Sequence, residues 1–363
     1  MFNISPSKVI RGKNVWKDSL SYIKQISSSP LILGKSSATK YIRKKLSNDL
    51  AENNLKVTCE ELHYDCCDED LNRVEQILKS NNSDSIIAAG GGKVLDAGKL
   101  LADRLSIPCI TIPLSASTCA GWTALSNIYT KEGKFIKDVS LKSCPNLLIF
   151  DHSFIKTAPR KTLASGIADA LAKWYESSLT SSASNDGIVQ QAIQISRVLR
   201  DQLLINGQEA FLTKDDFNIS WCNTIEACAL TAGLIGGIGG EKCRTAAAHA
   251  IHNSITQLEP KKKPLHGEIV GVGILIQLKL EEELNKNKLA SQSILQLTKF
   301  MKSLDLPTTI SELGINVFEN DNLEKISNFA CKEDSEIHFL PFSIKPKDVS
   351  KIISRYENQK IKI

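Results

Sequence analysis

Three of the six histidines in this 363-residue chain, His249, His252 and His266, are concentrated in the segment RTAAAHAIHNSITQLEPKKKPLHGE. The first two stand three residues apart in an Ala-rich run with helical spacing, so either or both could face one site. The third follows a Lys-Pro loop and opens the apolar run HGEIVGVGILIQL, which reads as a helix. One such histidine is ordinarily a hydrogen-bonded core residue, but three in a short span beside the Gly-rich GLIGGIGGEKC point to a metal. A catalytic zinc site typically keeps an open position beside its protein ligands, and a carboxylate from elsewhere would complete the set. Asp169, in SGIADALAKWYE, is the candidate, because an unpaired acid in an apolar helical stretch would be costly.

A second constellation lies earlier. SDSIIAAGGGKVLDAGKLLADRL reads as strand, glycine turn and helix, with Gly90, Gly91, Gly92 and Lys93 in the turn. Such glycines let the backbone approach a phosphate, and the helix N-terminus offers N–H groups and a positive dipole end. A tight structural turn uses the same residues. The strand-turn-helix context favours phosphate, although the pattern is neither GxGxxG nor a P-loop. Asp96 and Lys99 fall on the first turns of that helix. Downstream, PLSASTCAGWTALSNIY follows a strand, and its Ser117, Thr118 and Thr123 could each hydrogen-bond a cofactor or simply furnish a polar loop.

Strands and helices alternate up to about residue 150: SPLILGKSS, LKVTCEEL, SDSIIAAG, IPCITIPL and NLLIFDHS are strand-like, with amphipathic segments between them. That alternation predicts a Rossmann-like parallel sheet covered on both faces over residues 1–150. From Asp151 the texture is helical, as in RKTLASGIADALAKWYESSLTSS and NDGIVQQAIQISRVLRDQLLING, which predicts an all-α domain over 151–363. The length suits two domains, since single cores stop growing near about 250–300 residues. A net charge of +5 with dispersed lysines and few aromatics argues against nucleic acid, and the Lys261–Lys263 run reads as a solvated loop. No apolar run approaches the roughly 18 residues of a membrane span, and no apolar leader opens the chain. The ten cysteines form no CxxC pair and read as idle thiols in a reducing cytoplasm.

Taken together and in this order, GGGKVLDAGK, GIADALAKWYE, AAAHAIHN and LHGEIVGVGILIQ resemble the glycerol dehydrogenase family. That family lies in the wider group of metal-dependent alcohol dehydrogenases and dehydroquinate synthase. The resemblance covers nearly the whole chain. It implies a dinucleotide-binding domain, a helical domain of the dehydroquinate synthase type, and an active site in the cleft between them. Carried over motif by motif, it places the metal ligands on Asp169, His249 and His266. His252 becomes a neighbour that contacts substrate or relays a proton. The implied cofactor positions are Gly91, Gly92, Lys93, Asp96, Ser117, Thr123, Leu125 and Tyr129. Zn²⁺ is the implied metal, with Fe²⁺ the alternative for an Asp/His/His set, and a homo-oligomer is implied by the relatives.

Two departures narrow the expectation. Glycerol dehydrogenases carry an Asp that holds the polyol after the Ser-Thr of the small-residue loop. Here Cys119 follows Ser117 and Thr118. A thiol is a weak hydrogen-bonding group, whereas an Asp would repel an anionic substrate in a desolvated site. With Trp122 adding bulk, TCAGWTALS looks closer to the hydroxycarboxylate dehydrogenase branch. The expected substrate is therefore a small 2-oxo acid or its 2-hydroxy form, with a polyol as the alternative. The second departure is Gly34-Lys35, where NAD-preferring relatives place an acid. Lys35 could accommodate a 2′-phosphate, so NADPH is expected to serve at least as well as NADH. Glycerol dehydrogenase, glycerol-1-phosphate dehydrogenase, dehydroquinate synthase and a non-catalytic nucleotide-binding protein are the rival readings.

Overall fold

In the computed structural model the strands are β1 (Val9–Gly12), β2 (Pro30–Gly34), β3 (Thr58–Glu61), β4 (Ser85–Gly90), β5 (Cys109–Pro113), β6 (Leu125–Tyr129), β7 (Phe135–Ser140) and β8 (Leu147–Asp151). The structure describes residues 3–215, 217–260 and 263–360. Six strands form one parallel sheet in the order β1-β8-β5-β4-β2-β3. β2, β4, β5 and β8 are buried at every residue. This is why they read as continuous apolar runs rather than alternating ones. On one face Trp16, Ile23, Ile42, Leu46 and Leu50 of the Trp16–Ile26 and Lys40–Glu52 helices pack with Ile32, Ile87 and Ile110 of the sheet.

The chain runs outward from β2 to β3, then returns to the opposite side of β2 with β4. The strand order therefore reverses between β2 and β4, and open parallel sheets bind ligands outside the carboxyl ends of strands at such a switch point. Gly34 and Gly90, the last residues of these two strands, stand at that edge, with the Gly92–Leu105 helix directly behind the glycine turn. β6 and β7 form a separate antiparallel ribbon, β6 falling in the Ser- and Thr-rich segment whose composition suits a polar loop. β1 likewise falls outside the strand-like runs of the sequence.

The chain falls into two units, Met1–Pro159 and Arg160–Ile363. β8 and the short helix after it, His152–Ile155, therefore belong to the first unit. Among the described residues the second unit is helical throughout, as its texture predicts. Its core gathers Ile251, Val272, Ile276, Ile310, Ile326 and Ile353. Two glycines set how closely its helices approach. A β-carbon at Gly267 would lie 1.8 Å from the Ser165 carbonyl oxygen, and one at Gly273 would lie 2.4 Å from that of Ala248. The His266–Leu284 helix thus rests directly on the backbones of the Arg160–Thr180 and Ala247–Ile255 helices. The cysteines are free thiols, and no described helix is long and apolar enough to cross a membrane.

Candidate functional site

The three close-packed helices of the second unit each contribute one polar group to a single point. Asp169 comes from the middle of Arg160–Thr180, His249 from Ala247–Ile255, and His266 is the first residue of His266–Leu284. Their ligating atoms lie within 4.8 Å of one another. His266 Nε2 is 3.2 Å and His249 Nε2 3.5 Å from the same Asp169 Oδ1. Asp169 and His249 are buried and His266 is partly so. One carboxylate oxygen and two imidazole nitrogens converging at this range form a donor set that a divalent transition metal fits.

Each histidine is oriented through its other nitrogen. Glu176, fully buried two turns beyond Asp169 on the same helix, receives His249 Nδ1 at 2.7 Å. The same carboxylate accepts the backbone N–H groups of Ala246 and His249, which fixes the entry of that helix. His266 Nδ1 meets His252 Nε2 at 2.9 Å, and His252 Nδ1 meets Asn253 Oδ1 at 2.9 Å. Burial, with His266 beside it, pushes His252 well below the usual imidazole range, so it is neutral. The consistent tautomers have His252 donating to Asn253 and accepting from His266. Both Nε2 atoms at the centre are then left to a cation, the outer-sphere arrangement that orients metal-bound histidines. Glu176 was not read from the sequence. Both ring nitrogens of His252, expected to touch substrate, are engaged inside this network.

Burial opposes charge on Asp169, but His266 and His249 outweigh it and hold its carboxyl well below the usual range. Burial likewise opposes charge on His249, yet Glu176 and Asp169 raise it from 6.5 to about 9. Coordination through Nε2 must displace that proton. Metal affinity should therefore climb as pH rises toward about 9, by about tenfold per unit for one displaced proton. Competition titrations with a chromophoric chelator between about pH 6.5 and 8.5 measure this slope, and a flat profile would contradict it. The sign for stability is opposite. A raised histidine pKa stabilises the metal-free fold below about 6.5, and that contribution is lost as pH passes about 9.

In the first unit the glycine turn is open at Gly91 and closely approached by a hydroxyl at Gly92. The nearest atom to a β-carbon at Gly91 would be Ser115 Oγ at 4.0 Å, and at Gly92 it would be Thr118 Oγ1 at 3.0 Å. Ser117 pairs with Ser115 at 3.0 Å. Lys99, almost fully buried, ties the helix to the following segment. Its ammonium binds Thr123 O at 3.1 Å, Thr123 Oγ1 at 3.2 Å and the Leu125 carbonyl, and sits 3.2 Å from Asp96. Tyr129 is buried beneath the Lys93 ammonium, 4.5 Å from its ring centre. Trp122, expected near substrate, directs its indole N–H to the Ile4 carbonyl at 3.0 Å. Thr118 Oγ1 accepts from Ala120 N at 3.3 Å, and Cys119 is half-buried beside it. Lys35 is ion-paired to Asp65 at 2.6 Å. Of the Lys261–Lys263 run, Lys261 and Lys262 lie outside the described residues and Lys263 is exposed.

The profile of iron-containing alcohol dehydrogenases matches residues 6–152. An uncharacterized oxidoreductase of Synechocystis sp. is 38% identical over 344 residues, covering 95% of this chain and 88% of the relative. Hydroxycarboxylate dehydrogenase A of Escherichia coli is 31% identical over 294 residues, covering 79% of each. The crystal structure of glycerol dehydrogenase from Schizosaccharomyces pombe superposes with a TM-score of 0.87 at 29% identity, covering 100% of this chain and 91% of that one. The chain belongs to the glycerol dehydrogenase family of iron-containing alcohol dehydrogenases. This dehydrogenase is accordingly a metal-dependent oxidoreductase of alcohols or polyols that works with a nicotinamide cofactor on a small molecule.

Proposed function

We propose that this dehydrogenase interconverts a small 2-hydroxy acid and its 2-oxo form, with the metal held by Asp169, His249 and His266 in the second unit and the dinucleotide held by the first. The observation that carries the substrate class is Cys119, a neutral thiol where the family resemblance places a polyol-binding Asp. A neutral residue there removes the repulsion a substrate carboxylate would meet and forfeits an acceptor for polyol hydroxyls, a loss of about 1–3 kcal/mol. Thr118 and Cys119 are the proposed substrate-facing residues, Trp122 being turned to the Ile4 carbonyl instead.

When bound, the divalent cation supplies Lewis acidity toward the C2 oxygen, and the nicotinamide gives or takes the hydride. The chain's own work is positional. Asp169 furnishes the anionic donor, Glu176 and His252 orient the two imidazoles, and Lys99 fixes the Thr123–Leu125 segment against the cofactor helix. His252 serves as a positioning residue for His266. His252→Ala should weaken metal binding by about 10–100-fold, and unchanged affinity in a chelator competition would remove it from that role. Zn²⁺ is the proposed metal. Gly34, Gly91, Gly92, Lys93, Asp96, Ser117 and Tyr129 line the proposed cofactor positions, and both NADH and NADPH are accepted.

A spectrophotometric screen of NADH and NADPH oxidation with Zn²⁺ present tests the reading. 2-Oxobutanoate and 2-oxoglutarate are expected to exceed dihydroxyacetone in kcat/KM by about tenfold, the worth of one buried polar contact. A preference for dihydroxyacetone would make the chain a glycerol dehydrogenase.

A further inference from the structure

We infer that Asp65 is a specificity-determining residue: its carboxylate supplies the anion that Lys35 and Lys93 would otherwise take from a 2′-phosphate, and so limits the use of NADPH. This rests on the proposal that the first unit binds the dinucleotide. The topology carries the placement. Lys35 directly follows β2, and Lys93 lies in the first turn behind the β4 glycine turn, so the two lysines flank the switch point between these strands. In doubly wound sheets the residue ending the strand beside the glycine-turn strand reads the adenosine ribose, an acid favouring its hydroxyls and a cation its phosphate. β2 here ends at Gly34, and the first side chain at that edge is Lys35.

Asp65 sits in the segment between β3 and the Asp68–Ser80 helix and bridges both lysines, Oδ1 to Lys35 at 2.6 Å and Oδ2 to Lys93. The carboxylate is the more sheltered partner, with a side chain 15% exposed against 35% and 41% for the lysines. The other acids at this edge are engaged elsewhere. Glu61 pairs with Arg43 at 2.6 Å, and Glu60 and Asp70 pair with Arg73 at 3.0 and 2.8 Å. Arg43 also binds the Ser36 carbonyl and Thr39 Oγ1, which holds the turn that carries Lys35. Two ammonium groups thus share one carboxylate, leaving a single net positive charge. Burial opposes the charge on Asp65, but Lys93 and Lys35 outweigh it and lower its pKa, so the carboxylate stays ionised at neutral pH. A 2′-phosphate must compete with it for the same donors, whereas the unphosphorylated ribose makes no such demand.

The test is direct binding, followed by the fluorescence of NADH and NADPH titrated into the purified full-length protein, for the wild type and for Asp65→Asn. The amide keeps the shape and removes the charge. The ratio Kd(NADPH)/Kd(NADH) is expected to fall by at least about tenfold, mainly because NADPH binds more tightly, with a steeper salt dependence. Lys35→Met is expected to move the ratio the opposite way, and decides the matter should the Asn variant not fold. An unchanged ratio, with both cofactors still bound, would overturn the role of Asp65. Failure of the wild type to bind either cofactor would instead overturn the placement of the dinucleotide.

Discussion

Asp169→Asn is expected to leave the purified protein almost without metal and to lower turnover by at least about a thousandfold, the scale of several kcal/mol of lost charge stabilisation. The carboxylate is the sole anionic donor of the three, and one of its oxygens faces both imidazole Nε2 atoms, at 3.2 and 3.5 Å. The amide preserves volume, so the helix packing that surrounds it should persist. What it removes is the charge that, with Glu176, balances a divalent cation in a buried setting. Elemental analysis of the variant, beside its circular dichroism and its turnover, checks the three parts together. Full metal content in the variant would show that Asp169 is not a ligand.

The second large effect belongs to a residue with no side chain. Gly267→Ala puts a methyl group 1.8 Å from the Ser165 carbonyl oxygen and 2.6 Å from its carbon, both backbone atoms that cannot rotate away. The His266–Leu284 helix would have to withdraw from Arg160–Thr180, stretching the His266–Asp169 approach and breaking the 3.0 Å bond from Gly267 N to Ser165 Oγ. A stability loss of about 3 kcal/mol is expected from the overpacking, with metal affinity reduced by more than about a hundredfold as the ligands part. Urea unfolding and a metal titration measure both. Gly187→Ala is the control, since nothing lies within 4 Å of a β-carbon there, and its stability should be unchanged or slightly higher. Equal behaviour of the two variants would contradict the close-approach account.

These effects separate what could be read from sequence from what could not. The buried strands β2, β4, β5 and β8 announce themselves because burial on both faces demands unbroken apolar runs. β1 is four residues long and only partly buried, and β6 and β7 pair in a two-stranded ribbon outside the main sheet with β7 mostly exposed, so neither carries an unbroken buried run. A buried acid and clustered histidines in apolar helices need partners, which points to Asp169 and the three histidines as a group, but it is the family resemblance that selects His249 and His266 over His252. Glu176 carried the same signal, an acid two turns beyond Asp169 in the same apolar stretch, and went unread. Asp65 had no local signal at all. Its partners come from the ends of β2 and β4, and only the sheet's strand order brings Lys35 and Lys93 to one carboxylate. The same pairing changes the reading of Lys35, which the sequence alone presented as an unopposed cation.

The central claim is that Asp169, His249 and His266 hold one metal ion on which turnover depends. Its most direct measurement is to strip the purified protein with a chelator, titrate Zn²⁺ back, and follow NADH and NADPH oxidation with 2-oxobutanoate and with dihydroxyacetone at each step. Activity should vanish on stripping and return in a titration that saturates at about one ion per chain, as an Asp/His/His site with an open position requires. Full turnover in the stripped protein would contradict the account.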